Sequence, residues 1–384
     1  MKGKRVKVLA LIISAFMALT GFSACNFDGL FGELDSAIDS VLGGGSSDSS
    51  GGSSAGGSSG GDTPVQTGEL SIHFPELGNR YTGDCTLIKT GNVEVLIDAG
   101  SRNGSAATLV PYIENYCTDG KLEYVVATHA HQDHIAALVG NSSAKGILES
   151  FEIGTLIDFP LTNATSNVYD NYVDLRDELM ENGTLHYTAL DCWNNVKGAK
   201  RSIKLADGIT LNVLYQEFYE KKTGDENDYS VCLLLSQGEN HYLFTGDLEA
   251  DGEASLVRNN DLPKCKLFKG GHHGSPTSNT DALLKVIQPE IVCVCCCCGS
   301  TEYTTNMNNV FPSQAFVNRV GLYTSQIYVT TIISEDGKSG VSMNGNIVVS
   351  STGGEVTVNC SNNNTIFKET EWFKKYRVWP ANGK

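Results

Sequence analysis

Residues 125–138 read VVATHAHQDHIAAL, and four metal-binding side chains fall within six positions: His129, His131, Asp133 and His134. The chain has only 8 histidines among 384 residues, so three here call for a chemical reason. In extended backbone, residues two apart face the same way, which brings the His129 and His131 imidazoles together. Asp133 and His134 follow where a helical pattern starts. Three imidazoles and a carboxylate exceed what one ion needs and suit two cations held side by side.

Two later stretches occupy equivalent places. HYLFTGDLEADGEASL puts Asp247 directly after a strand and before a helix, where a carboxylate with two oxygens can bridge two cations. KLFKGGHHGSPTS puts His272 and His273 after another strand, with glycines that permit close backbone approach. A Gly-Asp turn is ordinary by itself; the shared position at strand ends links the clusters. His73, inside an early strand, and His241, ahead of a strand and away from those ends, read as structural. No Gly-x-Ser-x-Gly elbow or Walker phosphate loop is present, so a covalent serine mechanism and nucleotide-loop chemistry are not indicated.

The elements that must position these groups can be read from periodicity. ELSIHF, DCTLIKT and VEVLIDAG read as strands, the last two forming a hairpin over 84–98. SAATLVPYIENYC reads as a helix, LEYVVAT as a buried strand, HIAALVG as the start of a helix, and 168–182 as a further helix. ITLNVLY, YSVCLLLSQ and HYLFTGD are strands, DGEASLVRN and NTDALLKVIQ helices, EIVCVCCCC a strand and PSQAFVNRV a short helix. SQIYVTTIIS, GNIVVSS and GEVTVNC end the chain in β-rich sequence. Strands first, then strands alternating with helices, twice over, predict an α+β fold: a four-layer αββα sandwich.

The N-terminal region reads differently. Residues 1–24 combine Lys2, Lys4, Arg5 and Lys7 with an apolar stretch too short for a membrane span of about 20 residues. With FSAC ahead of Cys25, they predict a lipoprotein-type signal peptide and a lipid attached at Cys25. Residues 25–61 form an anchor segment and a Gly/Ser-rich tether with too few large apolar groups to offset its ordering entropy. Residues 62–384 remain for one large domain. The predicted location is the outer face of a bacterial membrane.

Loss of residues 1–24 removes four cations and no acid, taking the net charge from −16 to −20. Such a surface disfavours nonspecific nucleic-acid binding. Of 12 cysteines, five crowd into IVCVCCCCGS. Neighbours along a strand face opposite ways and paired Cys-x-x-Cys spacing is absent, so the run reads as a core strand rather than a disulfide or zinc framework.

THAHQDH matches the His-x-His-x-Asp-His signature of the metallo-β-lactamase superfamily, and the chain resembles its ComEC-like metallohydrolase branch. The resemblance rests on GDCTLIKTGNVEVLIDAG, NDYSVCLLL, TGDLEADGE, GGHHGSPTS and PEIVCVC, in order from about 83 to 320. The chain is also similar, more loosely, to bacterial phosphorylcholine esterases. The resemblance implies that His129 and His131 hold a first metal, that Asp133 and His134 hold a second, and that Asp247 bridges them. It implies His273 as a further ligand of the second metal and His272 as a contact to the substrate's developing anion. Ser275 and Asn227 would position that region, and Asp98 would orient the ligand loops from behind.

Two departures stand out. Relatives carry a further histidine before the bridging aspartate, whereas KKTGDENDYS has none; Asp225, Asp228 and His186 are the candidate substitutes. NMNNVFPSQ also lacks a Gly-His that relatives carry.

The expected cofactors are two divalent ions, zinc by ligand type with manganese as the rival. Two such ions about 3.5–4 Å apart can share a hydroxide and lower the pKa of bound water toward about 7, with Asp133 orienting the nucleophile. The expected activity is phosphodiester hydrolysis on a small molecule or polymer, with nucleic acid only as substrate. A lactone or amide hydrolase of the same superfamily and a non-catalytic tethered binding module are the alternatives.

Overall fold

The structure, a computed structural model, describes residues 68–384. The signal-like stretch, Cys25 and the Gly/Ser-rich tether lie outside the described residues. Among the described residues, no helix is long and apolar enough to cross a membrane.

Two eight-stranded sheets form the body of the domain. Across the first, the strands are Glu355–Cys360, Ile347–Thr352, Leu70–Phe74, Cys85–Thr90, Val93–Ala99, Lys121–Val126, Glu152–Asp158 and Leu185–Thr188. Across the second they are Gly340–Ser342, Gln326–Ile333, Ile291–Cys298, Leu267–Lys269, Asn240–Phe244, Cys232–Gln237, Ile209–Leu214 and Ser202–Ala206. Cys85–Thr90 and Val93–Ala99 pair antiparallel, as the hairpin signal predicts. Val93–Ala99, Lys121–Val126 and Glu152–Asp158 are parallel, as are Asn240–Phe244, Leu267–Lys269 and Ile291–Cys298. Parallel pairing brings the loops at the C-terminal ends of neighbouring strands to one edge, and every candidate cluster follows such an end.

Two apolar clusters define the layers. One draws Phe74, Val125 and Ile157 from the first sheet and Leu233, Phe244 and Cys293 from the second. It continues into the helices Ala106–Glu114 and Gln132–Val139 through Leu109, Ile113, Ile135 and Leu138. The other packs Phe268, Val292 and Val294 against Leu256, Leu283, Leu284, Phe316 and Val320 of helices Ala250–Asn259, Asp281–Ile287 and Gln314–Val320. The order is helices, sheet, sheet, helices, because each sheet buries one face on its partner and the other under helices. Within the cysteine run, Cys293 and Cys295 enter the inter-sheet core while Cys296 and Cys298 face the helix layer. All five cysteines of that run are free and buried.

The structure differs from the periodicity reading mainly at weakly patterned strands. Glu152–Asp158, Leu185–Thr188 and Gly340–Ser342 carry little regular alternation, Ser202–Ala206 alternates but is only 5 residues long, and all but Glu152–Asp158 are edge strands. The helix expected to start at His134 starts at Gln132, because His131 is its extended N-cap residue and His134 and Ile135 both donate backbone N–H to its carbonyl. Asp133 therefore occupies the first helical turn, where a carboxylate is favoured by the helix dipole.

Candidate metal centre

The loop after Lys121–Val126 carries the first four groups, and Asp98 holds it from behind. Thr128 donates its N–H to Asp98 Oδ1 and its hydroxyl to Asp98 Oδ2, both at 2.7 Å. The His134 Nδ1–H donates to the same Oδ2 at 2.7 Å. That bond sets the tautomer and leaves the Nε2 lone pair of His134 free to bind a cation. Asp98 itself has φ +58°, a left-handed conformation that turns the chain out of the strand. Gly100 follows because an added Cβ would lie 2.0 Å from the Asp133 carbonyl oxygen.

Four side chains converge on one point. Asp247 Oδ2 lies 3.1 Å from His134 Nε2 and 3.2 Å from His273 Nε2. Asp133 Oδ2 lies 3.4 Å from His273 Nε2. His273 donates Nδ1–H to the Cys295 carbonyl at 2.9 Å, which again leaves Nε2 facing inward. Beside this group, His129 Nε2 and His131 Nδ1 approach to 3.0 Å, two ring nitrogens aimed at the same place. His134 Nε2, His273 Nε2 and Asp247 Oδ1 are buried with no hydrogen-bond partner among the described residues. Buried polar atoms left orphaned are costly unless something else satisfies them. Divalent cations fit this donor set.

The electrostatics agree. Burial alone would lower the pKa of His134 and His273, but Asp247, with Asp98 and Asp84 respectively, outweighs it and holds both imidazoles well above their usual range. Burial would raise Asp247, yet His134 and His273 hold it well below the usual carboxylate range. Burial and the neighbouring His134 depress His129. The carboxylates Asp247, Asp98 and Asp84 thus set a negative field around the two imidazoles.

His272 lies at the rim, 19% exposed, with Nε2 3.8 Å from Asp247 Oδ2 and Nδ1 3.2 Å from Glu249 Oε1. Both histidines of the pair adopt positive φ, 45° and 52°, which splays one inward and one outward. Asn227 Nδ2 and Thr277 Oγ1 donate to Glu249 Oε1 at 3.4 and 2.8 Å, and Ser275 Oγ lies 2.8 Å from Thr277 Oγ1. Asn227 and Ser275 therefore support the bracket around His272.

The substitutes for the missing histidine are not assembled as ligands. His186 Nε2 sits 2.8 Å from Asp158 Oδ1, in a separate cluster with Tyr172 and Arg176, because its strand is at the sheet edge. Asp228 accepts from Glu249 N and Thr223 Oγ1, both at 3.4 Å, and burial pushes it up to about 6. Asp225 caps the turn Glu226–Tyr229 through Asn227 N, although it lines the same cavity as His131. Behind His129, on its Nδ1 side, stand Thr128 Oγ1 at 3.2 Å and Ser230 Oγ at 3.4 Å, and Ser230 Oγ also accepts from Asp247 N at 3.0 Å.

Sequence reasoning also missed Asp84, Lys269, Glu249 and Tyr303. Asp84, His134, Asp247 and His273 each have a donor atom within 4.8 Å of the others. Asp84 meets the Nδ1 edges, 3.2 Å from His273 and 3.8 Å from His134, so it lies behind the imidazoles rather than at the Nε2 convergence. Lys269 ion-pairs with Asp84, and both are almost fully buried. The sequence signals for that pair were the Gly-Asp that opens GDCTLIKTG and a lysine in an otherwise apolar strand.

A family model for the metallo-beta-lactamase superfamily matches residues 78–147, which include the histidine cluster and Asp84. Recombination protein 2 of Haemophilus influenzae is 28% identical over 55% of this chain and 23% of its own length. Competence protein ComA of Neisseria gonorrhoeae is 24% identical over 62% of this chain and 28% of its own. ComE operon protein 3 of Bacillus subtilis is 24% identical over 44% of this chain and 19% of its own. The chain thus spans less than a third of the length of these relatives. Among solved structures, the metallo-beta-lactamase fold protein YhfI from Bacillus subtilis is 11% identical, with a TM-score of 0.38 over 71% of this chain and 98% of that one. Residues 78–147 thus match the metallo-beta-lactamase superfamily, and the chain is similar to proteins named for recombination and competence.

Proposed function

We propose that the domain hydrolyses phosphodiesters with two divalent cations, zinc by ligand type. The observation that carries this reading is the convergence of His129 and His131 beside Asp133, His134, Asp247 and His273, with the buried Nε2 atoms of His134 and His273 left without a hydrogen-bond partner among the described residues. Cations held there supply Lewis acidity and make water a stronger nucleophile near neutral pH.

The chain's own residues do the rest. His129 and His131 would hold one ion, and Asp133, His134, His273 and Asp247 are the residues that would hold the other. Asp133, within the same ligand set, would orient the attacking water. His272, beside Glu249 at Nδ1, would contact the phosphoryl oxygen that gains charge. Asp98 and Asp84 keep the imidazoles of His134 and His273 oriented.

The phosphodiester reading is supported by relatives named for recombination and competence. A cavity of about 610 Å³ opens beside His131, lined by Gln132, Asn163, Thr165, Ser166 and Asp225 with no lysine or arginine. That lining favours a small phosphodiester over a long polyanionic strand, which needs a basic track. Export and lipid anchoring at Cys25 join the proposal on the strength of the N-terminal sequence alone.

The test is metal content by elemental analysis and turnover of bis(p-nitrophenyl) phosphate with zinc or manganese, beside Asp133→Ala. About two ions per chain and turnover lost in the variant support the reading. Two ions without phosphodiester turnover redirect it to lactone or amide substrates. No ion and no turnover leave a tethered binding module.

A further inference from the structure

Tyr303 lies on the loop after the cysteine-rich strand, in a segment with no sequence motif of its own. Its hydroxyl donates to Asp133 Oδ2 at 2.6 Å, across 170 positions of sequence. The same oxygen lies 3.4 Å from His273 Nε2, on the side where the donor atoms converge. The Tyr303 ring packs on Phe311 with centroids 5.6 Å apart, and Phe311 in turn lies 5.9 and 6.0 Å from the His272 and His273 rings. Tyr303 is nevertheless 53% exposed. A tyrosine kept for packing buries its ring and leaves its hydroxyl at the surface. Here the ring meets solvent and the hydroxyl is turned into the site.

An aspartate in the first turn of a helix can rotate its carboxylate and present either oxygen, or both, to a cation. A hydrogen bond on Oδ2 removes that freedom while leaving a lone pair of the same oxygen for an ion. We propose that Tyr303 is a positioning residue for the second cation, fixing Asp133 as a one-oxygen ligand beside His134, Asp247 and His273. The inference rests on the two-cation reading above. Such outer partners of metal ligands typically contribute 10–100-fold in metal affinity.

The test uses the full chain with Tyr303→Phe, which keeps the ring on Phe311, and Tyr303→Leu, which removes both contacts. Zinc affinities are measured by competition with a chromophoric chelator, and cobalt-substituted proteins by their visible absorption. The expected result is a loss of about 10–100-fold in the affinity of one of the two ions in Tyr303→Phe, a shifted cobalt spectrum and an unchanged first affinity. Wild-type affinities and a superimposable spectrum in Tyr303→Phe overturn the inference while the wild type still binds two ions. A loss in Tyr303→Leu alone overturns it too, since packing then explains the effect. A wild-type chain that binds fewer than two ions instead overturns the two-cation reading itself.

Discussion

Removing Lys269 leaves a carboxylate stranded in the core. Lys269 and Asp84 are 3% and 2% exposed, and the lysine's other contact is the carbonyl of Gly270 at 3.3 Å. Without Lys269, Asp84 faces only imidazole edges, His273 Nδ1 at 3.2 Å and His134 Nδ1 at 3.8 Å. Breaking a buried ion pair by deleting one partner costs about 3–5 kcal/mol, because the survivor remains desolvated and unpaired. Lys269→Met should therefore lower the unfolding free energy by that amount. The double variant Asp84→Asn, Lys269→Met removes both charges and should cost only about 1–2 kcal/mol, about 2–3 kcal/mol less than Lys269→Met alone. Urea denaturation at pH 7 with chelator present measures the chain without help from bound metal, and an unchanged slope shows that stability alone has moved. A single-variant cost below about 1 kcal/mol, or a double-variant cost equal to the sum of the singles, would refute the reasoning.

Asp98→Asn should weaken metal binding by about 10–100-fold, because the carboxylate that fixes the His134 tautomer is lost; chelator competition checks this, and an unchanged affinity removes Asp98 from the ligand architecture. Gly100→Ala should cost about 1–3 kcal/mol and reduce zinc content, since the new Cβ would sit 2.0 Å from the Asp133 carbonyl oxygen and 2.5 Å from His134 N; a wild-type melting temperature and full zinc content would contradict it. Burial, then Lys89, lowers His73 to about 4 from 6.5, so the unfolded chain takes up a proton there that the folded chain refuses. The stability this confers is about 3 kcal/mol, present above pH 6.5 and lost as pH falls toward 4. Comparing wild type with His73→Gln across pH 4–7 checks it, and a difference that does not change with pH would rule it out.

The His129-to-His134 cluster, the strand–helix junctions and the αββα layering were legible because each is written in local spacing. Period-two alternation marks strands, period 3.6 marks helices, and ligands two apart share a face. The same spacing placed Asp247 and the His272–His273 pair at strand ends. It could not say which of the pair turns inward, because positive φ at both residues, and the Cys295 carbonyl waiting for His273 Nδ1, belong to a turn between two strands. Nor could it find a substitute for the absent histidine: His186 was drawn to Asp158 at the sheet edge, and Asp225 and Asp228 were taken up by the turn around Asn227 and Thr223. Asp84, Lys269 and Tyr303 show the limit most clearly. They enter the centre from three separate segments, and their partners are set only when the two sheets pack and the strand ends meet. Local sequence determines what each strand end carries; the packing of sheet on sheet determines which nitrogen, which oxygen and which charge those ends present to one another.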